Sequence, residues 1–356
     1  MKAKICVIQG DGIGPEIMEQ ALKVLDQIRS RFNHEFKYEK GLAGGAAWDK
    51  YQTHMPQATL DIAENSDAIL YGSVGGPVQD QDLPKWKDCE KNSLFILRKK
   101  FDLFTNLRPS IVFKPLKNLS ILKPSLVKQG LEILIIRELT GGIYFGEHKT
   151  ENGVATDVMR YSEQEVERIA HVAFQTAQKR KNKLTSVDKA NVLDCSKLWR
   201  KVIIRVSKKY PKVELNHLYV DNAAMQLVRD PLQFDTIVTE NTFGDILSDL
   251  ASTFAGSLGL LPSASLNSEN YGMYEPSGGS APDIAGKGIA NPIAQILCVS
   301  MMLKYSFNLE KEARAIEKAV SKTLEQGYRT ADIYQEGTQK VSTQEMGAKI
   351  CENISG

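Results

Sequence analysis

Phe234-Asp-Thr-Ile-Val-Thr-Glu-Asn-Thr-Phe-Gly-Asp-Ile-Leu-Ser-Asp249 passes from a β-rich apolar run into a segment of helical character. Thr236–Thr239 reads as a strand and Asp245–Ala255 as a helix, so the passage predicts one strand-to-helix unit of an α/β protein. Asp245 and Asp249 are four residues apart, which puts both carboxylates on one helix face. Like charges at that spacing repel. Something positive must offset them, either solvent counter-ions or a bound divalent cation. A third carboxylate, Asp221, closes the apolar run Leu218-Tyr-Val-Asp221. Three carboxylates, two of them at or just beyond strand ends, predict a hard-cation site for Mg²⁺ or Mn²⁺. The plain alternative is an acidic first turn that complements the helix dipole.

The same alternation extends in both directions. Strands are expected at Lys4–Ile8, Ala68–Tyr71, Glu132–Ile136, Ser186–Asp188 and His217–Val220, and helices at Pro15–Arg29, Glu163–Lys179, Lys197–Lys208, Pro292–Tyr305 and Leu309–Glu325. Arg137, Lys189, Asp221 and Glu240-Asn241 collect at the carboxyl ends of these strands, the edge at which open α/β sheets bind ligands. With 356 residues, two domains are expected. A net charge of +2 supplies no electrostatic footprint for nucleic acid or a membrane surface. The five cysteines are scattered and never form a Cys-x-x-Cys pair, so neither a disulfide framework nor a zinc site is indicated. Cys6 and Cys298 lie in apolar runs and are expected in the core. The chain opens on a strand, without a signal peptide or a bilayer-length apolar stretch, so the cytoplasm is the expected location.

Gly10-Asp-Gly-Ile-Gly14-Pro15 invites a dinucleotide-fingerprint reading, but the last glycine of Gly-x-Gly-x-x-Gly is missing and Pro15 removes an N–H at the helix start. A structural turn, or a loop near a cofactor bound in some other way, is expected instead. A second segment, Glu275-Pro-Ser-Gly-Gly-Ser-Ala-Pro-Asp-Ile-Ala-Gly-Lys-Gly-Ile-Ala-Asn-Pro292, is long and low in bulk, as functional loops often are. Its backbone N–H groups suit phosphates. Glu275, Gly279, Ser280, Ala281, Pro282, Asp283, Ile284 and Asn291 are its candidate cofactor residues. Asp283 would accept both ribose hydroxyls and repel a 2′-phosphate, favouring NAD over NADP.

Arg98, Arg108 and Arg137 lie near element ends and suit a dicarboxylate, which arginine grips bidentately. Tyr144, beyond a glycine-rich turn, and Lys189, at a strand end, are the candidate acid and base. Arginines and a metal nearby should lower both pKa values.

Taken together, Gly10-Asp-Gly-Ile-Gly-Pro-Glu16, Arg137-Glu-Leu-Thr-Gly-Gly-Ile-Tyr-Phe-Gly146, Phe243-Gly-Asp-Ile-Leu-Ser-Asp249, the glycine-rich segment from Gly279 to Pro292 and Ser342-Thr-Gln-Glu-Met346 resemble the metal-dependent β-decarboxylating dehydrogenases over nearly the whole chain. The resemblance implies an α/β, isopropylmalate/isocitrate dehydrogenase-like two-domain fold with a largely parallel, non-Rossmann sheet. One domain, residues 1–103 plus 257–356, would bind the cofactor. The other, residues 104–256, would bind substrate and metal and form the dimer. Also implied is a homodimer in which each active site takes Lys189 and Asp221 from the partner subunit. Arg98, Arg108 and Arg137 would bind the malate carboxylates, Asp221, Asp245 and Asp249 would hold Mg²⁺ or Mn²⁺, Lys189 would be the general base and Tyr144 the general acid. The expected reaction is the NAD-dependent oxidative decarboxylation of (2R,3S)-3-isopropylmalate to 4-methyl-2-oxopentanoate and CO₂, a step in leucine biosynthesis.

Substrate choice within the family turns on what meets the substituent at C3. An isocitrate enzyme would be expected to carry serine and asparagine six and four residues before the first arginine. Those positions are Asn92 and Leu94 here, with Phe95 next. Leu94 and Phe95 form an apolar contact surface that favours an isopropyl group over a buried carboxylate. D-malate and tartrate remain as alternative or side substrates. Three positions depart from the family pattern: Gly278 where some relatives carry histidine, Leu250 where glutamate is common, and Phe95 in place of leucine. A non-catalytic relative is the rival reading from another class. All the polar residues named for chemistry are present, which argues against it.

Overall fold

The computed structural model describes residues 1–355, and the chain separates into two compact units. The first is Met1–Leu103 together with the chain from Gly256 on, and the second is Phe104–Ala255. Met1–Leu103 supplies β1 (Lys2–Gly10), α1 (Gly14–Phe32), β2 (Glu35–Gly41), α2 (Gly45–Tyr51), α3 (Gln57–Glu64), β3 (Ala68–Ser73) and α4 (Leu94–Lys100). The middle of the chain supplies β4 (Thr105–Val112), β5 (Leu131–Glu138), β6 (His148–Glu151), β7 (Val154–Asp157), α5 (Glu163–Gln178) and β8 (Lys183–Asp188). It continues with α6 (Asp194–Ser207), β9 (Glu214–Tyr219), α7 (Val220–Arg229), β10 (Thr236–Thr239) and α8 (Asn241–Ser252). The remainder adds β11 (Pro262–Leu266), β12 (Gly272–Pro276), α9 (Ile293–Tyr305), α10 (Glu310–Glu325) and α11 (Thr343–Ser355).

In the first unit the strand order is β2-β1-β3-β12-β11. All its pairings are parallel except β11 with β12. Pro15 opens α1, where a missing N–H costs nothing, and Ile17, Ala21, Val24, Leu25 and Ile28 form its buried face. α9 is buried almost all round, as a helix without a polar face must be. Cys6, Ile8, Ile69, Tyr71, Leu97 and Met273 belong to one core cluster. All five cysteines are free, and Cys6 and Cys298 are buried.

In the second unit the order is β4-β5-β10-β8-β9, parallel except for β4 against β5. The Leu-Ile-rich β5 and the short β10 are buried on both faces, as interior parallel strands are. Ile133, Ile135, Val187, Ile237, Leu247 and Phe254 form its core. The architecture is therefore the largely parallel α/β arrangement expected. No helix among the described residues is long and apolar enough to cross a membrane.

Two local expectations are corrected. Val220 does not end a strand: β9 stops at Tyr219, and Val220 and Asp221 sit in the first turn of α7, just beyond the strand end. Asp221 is thus an acidic first-turn residue, where the dipole favours it. The helix that carries Asp245 starts at Asn241, four residues before the expected start. Glu240 is the reason: its side chain accepts from the backbone N–H groups of Thr242 at 3.1 Å and Phe243 at 2.7 Å. A capped helix end satisfies donors that have no intrahelical partner.

Candidate active site and cofactor cavity

In the second unit, Arg108, Arg137, Tyr144, Asp245 and Asp249 converge. β4 presents Arg108, β5 presents Arg137, and α8 presents both aspartates one turn apart. Arg108 NH1 donates to Asp245 Oδ1 at 3.2 Å, to Asp249 Oδ1 at 3.3 Å and to Ser248 Oγ at 2.8 Å. Arg137 NH1 donates to the same Asp245 Oδ1. Tyr144 Oη donates to Asp245 Oδ2 at 3.1 Å. Arg137 is almost wholly buried, whereas the Asp249 side chain is 74% exposed.

These contacts correct two further expectations. The repulsion between Asp245 and Asp249 is offset within the chain by two guanidinium groups, not only by solvent ions or a bound cation. And the Tyr144 hydroxyl is pushed above its ordinary range, not below it. Burial disfavours the phenolate, and the Asp245 carboxylate beside it adds to the effect, outweighing Arg137.

Close approach of α8 to β5 depends on Gly244. A Cβ there would meet Arg137 Cγ at 2.6 Å and Arg137 Cβ at 2.8 Å. Gly244→Ala would gain about 1 kcal/mol of helix propensity but overpack the contact, at a cost of about 1–3 kcal/mol. The expected result is a lower melting temperature and an Arg137 displaced from Asp245 in the variant's structure. A wild-type melting temperature with Arg137 in place would show that the helix can shift without disturbing the arginine.

Asp221 and Lys189 lie apart from this group and hold each other. Lys189 Nζ donates to Asp221 Oδ1 at 2.7 Å. That bond, above all, keeps the exposed Asp221 carboxyl below the usual carboxylate range. Among the described residues, no three His, Cys, Asp or Glu side chains gather as a metal set. Within one chain, then, Asp221 does not join Asp245 and Asp249. The two aspartates of α8 are hard oxygen donors of the right chemistry for Mg²⁺ or Mn²⁺, but a three-carboxylate set needs an Asp221 from elsewhere.

Arg98 belongs to the first unit. Its NH2 donates to Glu275 Oε1 at 2.9 Å, and both side chains are nearly buried. Phe95 is half-buried with the Arg98 guanidinium 5.4 Å from its ring centroid. Leu94 is 5% exposed and packs into the core of this unit.

The first unit also holds a cavity of about 440 Å³, within the range of small-molecule sites. Gly279, Ala281, Ile284 and Asn291 line it, as do Gly278, Leu258 and Ala294. Its largely apolar wall and this glycine-rich rim fit a flat heteroaromatic group with a polar tail. Ser280 is buried beside the N-terminal loop, its carbonyl accepting from Ile13 N at 2.8 Å. A Cβ at Gly12, whose φ is +55°, would lie 1.9 Å from that carbonyl oxygen. Ile13 and Ile17 contribute to the cavity wall, so the N-terminal glycine loop is at once a structural turn and a neighbour of the cavity. Pro282 and Asp283 are exposed and do not form part of the wall; nor does Glu275, which is engaged with Arg98.

Sequence reasoning missed two contributors, Asp332 and Ser248, and gave Asn241 no role beyond its place at a strand's carboxyl end. Asp332 lines the cavity and accepts from Asn291 Nδ2 at 3.0 Å. Ser248 anchors Arg108. Asn241 links Arg137 to the turn before Tyr144. Ser248 and Asn241 lie three residues after Asp245 and four residues before it. That helical spacing was the available signal for both, and nothing local marked Asp332.

Comparison with known proteins gives a consistent picture. Residues 4–350 match the family model described as isocitrate/isopropylmalate dehydrogenase. A 3-isopropylmalate dehydrogenase from Clostridium acetobutylicum is 56% identical, covering 98% of each chain. One from Aquifex aeolicus is also 56% identical, over 99% of this chain and 97% of the relative. The crystal structure of an isocitrate dehydrogenase from Methylococcus capsulatus aligns with a TM-score of 0.86 at 32% identity, covering 99% of both chains.

Proposed function

We propose that this chain, which belongs to the isocitrate/isopropylmalate dehydrogenase family, catalyses the NAD-dependent oxidative decarboxylation of 3-isopropylmalate to 4-methyl-2-oxopentanoate and CO₂, as a cytoplasmic enzyme of leucine biosynthesis. The observation that carries this reading is the convergence of Arg108, Arg137, Tyr144, Asp245 and Asp249 in a chain 56% identical to named 3-isopropylmalate dehydrogenases. Arg108 and Arg137 would hold the substrate's carboxylates, with Arg98 as the third. Lys189 takes the proton from the C2 hydroxyl as that carbon is oxidised. Once CO₂ has left, Tyr144 delivers a proton to C3 of the enol. When bound, NAD accepts the hydride, and a divalent cation supplies a Lewis acid for oxygen, worth several kcal/mol where charge develops. Asp245, Asp249 and an Asp221 would hold that cation. A cation on Asp245 would also offset the part of the upward shift of Tyr144 that the Asp245 carboxylate adds to burial.

The separation of Asp221 and Lys189 from Asp245 supports a homodimer in which each site takes those two residues from the partner subunit. α7 and α8 also leave Met225, Val228 and Ile246 exposed, at 56%, 43% and 58%. A symmetric partner would cover such an apolar face. Leu94 and Phe95 are proposed to favour the isopropyl group, although Leu94 would act mainly from the core side.

The function is tested by product analysis. Purified protein given Mg²⁺ or Mn²⁺, NAD and 3-isopropylmalate should form NADH, CO₂ and 4-methyl-2-oxopentanoate in equal amounts, with no turnover after chelation. NADH without decarboxylation, or turnover unaffected by chelator, would reject the reading.

The cofactor is proposed to bind along Glu275, Gly279, Ser280, Ala281, Pro282, Asp283, Ile284 and Asn291, with its adenine in the cavity and its ribose reaching the exposed Asp283. Asp283→Lys should shift the NAD/NADP ratio of kcat/KM toward NADP by about tenfold or more, since about 1.4 kcal/mol of altered charge interaction suffices. An unchanged ratio would place the ribose elsewhere, with Asp332 the nearest carboxylate on the cavity wall.

A further inference from the structure

We infer that Asn241 is a positioning residue that clamps the substrate arginine Arg137 and the Tyr144-bearing turn into one register; this rests on the roles proposed above for those two side chains. Asn241 is 1% exposed and is the first residue of α8. Its Oδ1 accepts from Arg137 Nε at 2.9 Å and from Arg137 NH2 at 2.7 Å. Its Nδ2 donates to the carbonyls of Leu139 at 3.1 Å and Gly141 at 2.9 Å. The full capacity of the amide is used, two bonds accepted and two donated. Its own backbone N–H donates to Tyr161 Oη at 3.0 Å, so the helix start that carries the amide is fixed as well.

A carboxamide is the chemistry this place requires. A guanidinium on one side needs an acceptor, and two carbonyls on the other need donors. Aspartate would keep the acceptor and lose the donors. Serine or alanine would lose most of both. Arg137 also reaches Asp245 through NH1, and Tyr144 donates to Asp245 through its hydroxyl. The amide therefore sets the distance between the group that holds a substrate carboxylate and the group that protonates C3. It touches neither the substrate nor the cation and acts only through Arg137 and the turn.

The test compares Asn241→Ala and Asn241→Asp with the wild-type protein by amide hydrogen exchange and rapid-quench kinetics. In both variants, exchange across residues 139–146 should accelerate roughly tenfold, the scale of a lost buried hydrogen bond, while α5 and β8 keep their protection. Asn241→Ala should also raise KM for 3-isopropylmalate about tenfold and let NADH formation outrun release of the keto acid. Asn241→Asp should show the same lag in keto-acid release with a smaller rise in KM, because it retains the acceptor for Arg137. Unchanged exchange over residues 139–146 in both variants would overturn the clamp. So would equal slowing of both chemical steps with no lag in either variant. If the wild-type protein fails to oxidise 3-isopropylmalate, the functional reading falls while the exchange comparison still decides the clamp.

Discussion

Lys189→Met is expected to lower kcat by about 10²–10⁴-fold, the usual contribution of a positioned general acid or base, while leaving the fold and NAD binding intact. Methionine preserves the length of the side chain and removes its charge and its proton-accepting nitrogen. The cost to stability should be small, because the Lys189–Asp221 pair is partly exposed and such pairs contribute little. Single-turnover NADH formation reads the step directly. A kcat near the wild-type value would remove Lys189 from its assigned role, and a cooperative melt like that of the wild type would exclude unfolding as the cause of any loss.

The second large effect concerns the sharing of sites. Asp245→Asn should be as inactive as Lys189→Met, because it removes the negative charge from the proposed cation site and one of the two oxygens that accept from Arg137 and Tyr144. Yet the two inactive proteins, unfolded together and refolded, should recover activity. In a symmetric dimer, half of the randomly reassorted pairs carry both variants, and one of their two sites has an unaltered Lys189 facing an unaltered Asp245. The mixture should therefore regain about a quarter of the wild-type activity. No recovery, with mixed dimers demonstrated by mass, would mean that Lys189 and Asp245 serve the same site within one chain.

The strand-to-helix passage around Thr236–Asp249 was legible because its two periodicities are clean and adjacent. Its helix start was not, because a glutamate rather than a serine or aspartate forms the cap, through contacts that only the folded turn creates. β2 escaped notice because Glu35, Lys37 and Glu39 make it look like loop, and its polarity is that of an exposed strand at one side of the sheet order. β4 escaped because Pro109 argues against an interior strand; in the structure that proline faces Leu134 of β5 in an antiparallel pairing.

The site residues on α8 followed from spacing alone. That Arg108 would reach Asp249, 141 residues away, depends on how β4 folds back against β5, and no local pattern carries that information. The same is true of Tyr144. Its neighbourhood was read from the arginines and an expected metal, but burial of the hydroxyl, with the Asp245 carboxylate beside it, raises its pKa and outweighs Arg137. Charges that neutralise one another in the folded chain cannot be paired from their order in the sequence.

The most direct measurement is kcat/KM for 3-isopropylmalate, D-malate and isocitrate with the purified protein, NAD and Mg²⁺ or Mn²⁺. A preference for 3-isopropylmalate of tenfold or more, the scale of burying an extra apolar group in a fitted pocket, is the predicted result. Preference for D-malate or isocitrate would contradict it and would show that Leu94 and Phe95 do not receive the C3 substituent.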